Sequence, residues 1–502
     1  MLQIRDLRVS FSRYRGLLGR ERITALDGVD LDLRPGELVA LVGASGAGKS
    51  LLAHAVLGIL PRNAQREGEI HFEDAPLCAK RSRALRGKRI ALVPQALTFL
   101  DPLARAHRQV RWAALAARRD TPHAQAQAEL SRFALRADAQ RRFPHELSGG
   151  MARRVMTAIA TVSQASLLIA DEPTTGLDPQ VRKLALDQLR ALADEGKGVI
   201  VITHDIAAVL PVADRIVVLN EGRSVDHLPA GDFATGRIPH AYTASLRRAL
   251  PEHGFAAPGT PASACLPTPT ASPTAPTAGG EAAPCFSARH IRWQWPGNTQ
   301  PTLDDAAIDL SPDRITGLLG ASGGGKTTLA RILAGYLKTD CDLRLDGQPL
   351  PTRGARPVQL IGQHAELGLH PRMKVGASLR EGWQPDAATL ERFGIRPEWL
   401  GRYPHELSGG ELQRIAIVRA LVPGLRVLIA DELTAMHDTI TQAQIWRALR
   451  DTLAPRGVAI LAISHDEALL RALDARILRL HEGRLIPRPE PEHRQPAPAL
   501  MR

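Results

Sequence analysis

Residues Gly43-Ala44-Ser45-Gly46-Ala47-Gly48-Lys49-Ser50 (GASGAGKS) decide how this chain is read. They follow Leu38–Val42, an apolar run with the length of a buried strand, and precede LLAHAVLGIL, a segment of helical character. Glycines at this spacing let the backbone wrap its N–H groups around a phosphate. Lys49 can then reach β- and γ-phosphates, and Ser50 can ligate Mg²⁺. The helix behind the loop aims its positive N-terminal end at the same anion.

The pattern occurs twice. Gly320, Ala321, Ser322, Gly323, Gly324, Gly325, Lys326 and Thr327 (GASGGGKT) follow the apolar run Ile315–Leu319 and precede TLARILAGYL. PHELSGG occurs at Pro144–Gly150 and again at Pro404–Gly410, and IADE at Ile169–Glu172 and Ile429–Glu432. The offset between copies falls from 277 at Lys49 and Lys326 to 260 at Ser148 and Ser408, so the second copy is 17 residues shorter between loop and PHELSGG. Further buried strands are expected at Leu167–Ala170, Val199–Thr203, Val427–Ala430 and Val458–Ser464. Helical segments alternate with them, which predicts two tandem α/β domains, each with a mainly parallel sheet.

The full length, 502 residues, exceeds what one core supports. Pro251–Pro284, rich in Pro, Ala and Thr, is predicted to be an extended, disordered linker of about 3.1 Å per residue. The domains are therefore placed at 1–250 and 285–486, with a disordered tail over 487–502. The N-terminus shows no charged leader followed by an apolar run, and no stretch approaches the roughly 18 apolar residues of a spanning helix. Membrane passage is thus expected to come from other chains. Four scattered cysteines without a CxxC pair argue against a zinc or iron–sulfur site. The net charge of +12 lies in dispersed arginines rather than a basic block, a weak pointer to an anionic membrane surface instead of nucleic acid.

Asp171 and Asp431 end predicted buried strands, where a carboxylate can hold a metal or its water shell. Glu172 and Glu432 come next and can polarise an attacking water. In LSGG, Ser148 and Ser408 cap helices whose first turns begin Gly149-Gly150 and Gly409-Gly410 and can face a γ-phosphate.

LSGG resembles the signature motif of the ABC (ATP-binding cassette) ATPases, and the resemblance covers the chain apart from linker and tail. It implies that the two domains pair, with ATP held between the phosphate loop of one and the signature of the other. Gln95 and Gln363 resemble the Q-loop glutamine that senses Mg²⁺ and contacts the transmembrane subunits. His204 and His465 resemble the switch histidine at the γ-phosphate, and Asp178 and Asp438 the D-loop aspartate. Phe11 and Trp295 are candidates for the aromatic that stacks on adenine, beside the alternative of a core aromatic. The fifth signature residue is Met151 or Glu411 where Gln is commoner. The second D-loop, DELTAMHD, departs from the pattern at Leu433, Met436 and His437. No catalytic residue is lost, so two competent ATP sites are expected.

Several segments resemble the nickel/oligopeptide/dipeptide importers: PHAYTASLRRALP (Pro239–Pro251), GILP (Gly58–Pro61), GEI (Gly68–Ile70), SGGM, QHAELGLHPR (Gln363–Arg372) and DTITQAQIW (Asp438–Trp446). The resemblance implies an ATPase on the cytoplasmic face of a bacterial inner membrane, working with two permease subunits and, indirectly, a substrate-binding protein. Segments 96–142 and 364–402 are expected to form helical subdomains that dock on the permease; their unequal lengths suggest two different permease chains. The lack of a cysteine-rich C-terminal loop points to nickel or a metal chelate as cargo, with short peptides as the alternative. Soluble twin-cassette translation factors usually carry a charged helical linker, unlike the proline-rich one here. DNA-repair ATPases of this class carry zinc cysteine pairs or long coiled coils, fused sugar importers often have a degraded second loop, and exporters commonly carry their own membrane segments.

Overall fold

The computed structural model describes residues 1–15, 19–177, 179–256, 284–297, 299–321, 323–351, 356–434 and 437–487. Most of the expected linker, the tail after Pro487, Asp178, Ser322 and Met436 lie outside the described residues. The chain divides into two compact units, here taken in turn.

In the first half a six-stranded sheet runs in the order Arg223–Pro229, Arg215–Asn220, Leu38–Gly43, Gly198–Ile202, Leu167–Asp171, Ile90–Val93. All its pairings are parallel except the outermost, between Arg223–Pro229 and Arg215–Asn220. Leu38–Gly43, Leu167–Asp171 and Gly198–Ile202 are buried at every position. That is why they read as unbroken apolar runs rather than alternating ones. The strand Leu38–Gly43 sits inside the sheet, and its C-terminal end delivers the glycine-rich loop to the helix Lys49–Leu57.

The second half repeats the order with Val358–Ile361, Val427–Asp431, Ala459–Ile463, Thr316–Gly320, Arg476–His481 and Arg484–Pro487. Thr316–Gly320 leads into the helix Lys326–Leu333. Both helices end earlier than LLAHAVLGIL and TLARILAGYL suggest. Gly58 takes a left-handed conformation (φ 64°), and its N–H turns back to the carbonyls of Ala55 and His54, which closes the first helix.

Each half also carries a four-stranded antiparallel sheet that the sequence reading does not include. In the first, Leu2–Arg15 lies between Gly19–Leu33 and Ala64–Phe72. Leu2, Ile4, Leu7 and Val9 are fully buried. The alternation slips by one residue after Ile4, where Asp6 adopts φ 44° and the register shifts. A bulge of this kind breaks the period-2 signal that would mark the strand. These side chains share one core with Leu52, Val56, Leu41 and Ile200, so the antiparallel sheet braces the helix behind the phosphate loop. Truncating a leucine in such a core costs about 2–5 kcal/mol.

The helical subdomains follow. In the first half, helices Ala106–Ala116, Pro122–Arg132 and Ala137–Gln140 lie between Gln95 and Ser148. In the second half the corresponding helices Val375–Arg380 and Ala387–Arg392 have 6 residues each, against 11 for the first two helices of the first half. Much of the missing length is therefore helix.

Candidate functional site

Each phosphate loop is fixed by what its glycines allow. Gly48 (φ 94°) and Gly325 (φ 96°) form left-handed N-caps of the helices behind the loops. A Cβ on Gly48 would lie 2.3 Å from Leu26 Cδ2, so no other residue fits there without displacing the core. Lys49 Nζ donates to the carbonyls of Gly43 and Ala44, both at 2.9 Å. Lys326 Nζ does the same with Gly320 (2.8 Å) and Ala321 (2.9 Å). Both ammonium groups are thus folded over their own loops. Burial lowers the pKa of Lys49, against the opposing pull of the Glu172 and Asp171 carboxylates.

Asp171 and Asp431 are the last residues of their strands, and both are buried. Thr327 Oγ1 donates to Asp431 Oδ2 at 2.7 Å, and in the first half Ser50 lies beside Asp171. Burial raises both aspartate pKa values, against the opposing pull of these hydroxyls. Asp171 Oδ1 is buried without a hydrogen-bond partner among the described residues. An orphaned carboxylate oxygen beside a serine hydroxyl is a donor set suited to a hard divalent cation.

Glu172 (φ 48°) and Glu432 (φ 50°) sit just past the strand ends in left-handed backbone conformations. Strain of this kind in a non-glycine residue costs on the order of 1–3 kcal/mol and collects at functional sites. The turn brings each carboxylate to a histidine. Glu172 Oε1 lies 2.9 Å from His204 Nδ1, and Glu432 Oε1 lies 3.4 Å from His465 Nδ1. Burial pulls the His204 pKa down, but the bond and charge of Glu172 outweigh it and the net direction is up. Burial likewise pushes Glu432 up, yet His465 and Lys326 hold it below the usual carboxylate value. The structure therefore joins the acid and histidine in both halves.

Ser148 caps the helix Gly149–Thr161, accepting from the Met151 N–H at 3.3 Å. Ser408 caps Gly409–Ala420 and accepts from the Glu411 N–H at 3.4 Å. Here Glu411 also turns back: its Oε2 accepts from the Ser408 N–H (2.8 Å) and hydroxyl (2.9 Å). This closes a capping box that Met151 cannot form.

Gln95 is exposed and Gln363 half-buried, and neither side chain is hydrogen-bonded to Asp171 or Asp431 among the described residues. What the structure fixes is the backbone beside them. Arg153 Nη1 donates to the Pro94 and Gln95 carbonyls at 2.9 and 2.7 Å, while in the second half Gln413 Nε2 reaches the Gly362 carbonyl at 3.3 Å. Phe11 packs half-buried against the first core. Trp295 is exposed, with its ring edge-on to Trp293 at 5.4 Å.

The sequence reading passes over Arg153 and Gln413, which lie five residues after the signature serines without a pattern of their own. It also passes over Arg182, which pairs with Asp205 beside the switch histidine. Tyr242, which the sequence reading quotes only within Pro239–Pro251 and gives no role of its own, is a fourth: its hydroxyl accepts the N–H of Ala44 in the first phosphate loop.

Known proteins resemble this chain along most of its length. The ABC transporter family profile matches residues 26–175 and 303–435. The peptidoglycan transport ATP-binding protein YejF of Agrobacterium fabrum is 33% identical, over 97% of this chain and 92% of its own. The glutathione import ATP-binding protein GsiA of Salmonella typhimurium is 31% identical, over 93% of this chain and 83% of its own. An uncharacterised ABC transporter ATP-binding protein YejF of Escherichia coli is 32% identical over 97% and 95%. A solved complex of the archaeal ribosome recycling factor aABCE1 with the stalk protein aP1 matches with a TM-score of 0.61, at 21% identity, over 92% of this chain and 87% of that one. Identity at that level speaks to the fold alone. Because the profile spans more than half of the chain and the relatives match nearly all of it, the chain belongs to the ABC transporter family and is an ATPase coupled to transport.

Proposed function

We propose that the chain is the energy-coupling ATPase of an importer of short peptides or peptide-bearing molecules, with both phosphate-loop sites hydrolysing ATP. The observation that carries the reading is that loop, strand-end acid pair, switch histidine and capped signature helix occur together in each half. Cargo is argued from relatives. Glutathione is a tripeptide and peptidoglycan carries short peptides, and these are the compounds in two of the relatives' names. Nickel or a metal chelate, the cargo expected from short resembling segments, appears in none of the three names.

In this reading the loop N–H groups of residues 43–50 and 320–327 hold the phosphates, and Lys49 and Lys326 swing from their own carbonyls to the β- and γ-oxygens. Ser50 with Asp171, and Thr327 with Asp431, would hold Mg²⁺, with Gln95 and Gln363 as further ligands. Bound there, Mg²⁺ offsets charge on the phosphates. Glu172 and Glu432 orient and polarise the attacking water, while His204 and His465 steady these carboxylates. Ser148-Gly149-Gly150 and Ser408-Gly409-Gly410 present helix ends to a γ-phosphate, which requires the two halves to pair. Phe11 and Trp295 are the candidates for the adenine. Among the described residues no helix is long and apolar enough to cross a membrane. Permease subunits supply the path, at the cytoplasmic face of a bacterial inner membrane, and a binding protein supplies the cargo.

The test compares uptake of a labelled tripeptide in cells carrying this chain and in cells carrying Lys49→Ala with Lys326→Ala. Loss of uptake in the variant is expected. Unchanged tripeptide uptake together with a loss of nickel accumulation at trace external nickel would move the cargo to metal.

A further inference from the structure

The segment His240–Arg248 follows the sheet of the first half and is not part of the loop, acids, histidine or signature. Its helix, Ala241–Arg248, is tied down firmly. His240 Nδ1 caps it by accepting from the Tyr242 N–H at 3.2 Å. Thr243 and Leu246 are buried, at 0% and 1% exposure. Arg247 Nη2 donates to the Ala234 carbonyl at 2.9 Å, which joins this helix to Ala230–Thr235. From that platform the Tyr242 side chain reaches back 198 positions to the phosphate loop, where its hydroxyl oxygen accepts the Ala44 N–H at 3.1 Å. The Ala44 carbonyl accepts from Lys49. The peptide group before Ala44 is therefore held by an anchored tyrosine, and the one after it by Lys49 on its carbonyl and by Asp438 Oδ2, which accepts the Ser45 N–H at 3.2 Å.

We propose that Tyr242 is a positioning residue for ATP binding in the first half: it pins the outer limb of the phosphate loop, so that the loop stays shaped for phosphate when Lys49 departs. The proposal rests on reading Gly43–Ser50 as the phosphate loop. The physical reason is preorganisation. A glycine-rich loop without a fixed point must be ordered by its ligand, and that ordering cost comes out of the affinity. Tyr242 itself stays neutral, because burial pushes its pKa up to about 12, so it remains a phenol acceptor throughout the physiological range. The pin acts on loop order before chemistry, so it should appear in ATP affinity and in KM rather than in kcat.

The experiment uses the full chain with Lys326→Ala, so that nucleotide binding reports on the first loop. A fluorescent ATP analogue with Mg²⁺ is titrated into this protein with and without Tyr242→Phe, and the melting midpoints of both are recorded. Tyr242→Phe is expected to weaken binding about fivefold, which is about 1 kcal/mol at 1.4 kcal/mol per factor of ten, with the midpoint unchanged. In the otherwise unaltered chain the KM for ATP should rise by a similar factor while kcat stays within about twofold. Unchanged affinity overturns the proposal. So does a loss of affinity accompanied by an equal fall in melting midpoint, since that would make Tyr242 a packing residue only. Lys49→Ala in the same background separates the two readings: if it leaves binding intact, the phosphate-loop assignment has failed, whereas if it abolishes binding and Tyr242→Phe changes nothing, only the pin has failed.

Discussion

The two signature helices begin on the same serine and then differ. In the second half Glu411 folds back on Ser408, so the serine hydroxyl proton is engaged by a carboxylate of its own helix. In the first half Met151 offers no such carboxylate, and among the described residues the Ser148 hydroxyl accepts a backbone N–H. A negative charge at a helix N-terminus stabilises the helix, yet it occupies the end that would attract an anion. The same contrast runs through neighbouring parts. The first half clamps its Q-loop backbone with two bonds from a buried arginine, the second with one longer bond from a glutamine. The loops, lysines, aspartates and strained glutamates barely differ. The asymmetry of this chain thus lies in the groups that hold and present the site, with the reacting groups nearly duplicated.

The comparison can be broken most directly at the glutamates. Glu172→Gln and Glu432→Gln together should cut steady-state ATPase activity about 10²-fold, and each alone should remove about half of it. If either leaves the rate unchanged, that half is silent and the reacting groups are not equivalent after all. Next in size is the Q-loop clamp. Arg153→Ala removes two charge-assisted bonds and should lower the unfolding free energy of the first half by about 2–3 kcal/mol, against about 1 kcal/mol for Gln413→Ala in the second. Equal losses in chemical denaturation would erase the contrast. The smallest effect sharpens the signature comparison. Glu411→Met should cost the second half about 1 kcal/mol by opening its capping box, and Met151→Glu should add a similar amount to the first. Denaturation midpoints moving the same way in both variants would show that the box is not what sets the helices apart.

Much of this was legible in the sequence, for physical reasons. Leu38–Val42 and Leu167–Ala170 are buried on both faces, so an apolar run alone marks them, and the observed strands extend each by one residue. Glu172 and His204 are each marked by their motifs, but their pairing at 2.9 Å is visible only in the structure. The antiparallel sheets escaped because bulges, at Asp6 in the first and at His290 in the second, interrupt their alternation. Arg153 and Tyr242 escaped for a different reason: each acts on backbone groups far away in sequence, and a backbone carbonyl or N–H leaves no mark in the amino-acid code.

The left-handed turns at Glu172 and Glu432 bear on how the protein can change over time. Glycine would relax either turn, so mutation at these two codons has an easy route toward a sturdier protein without its base. On the reading that both halves hydrolyse ATP, a chain that keeps both glutamates is held there by the demand for turnover, against the pull of stability. If one half ever became dispensable for hydrolysis, this turn is where drift would first be rewarded, and a glycine in one copy beside a glutamate in the other would be the trace it leaves.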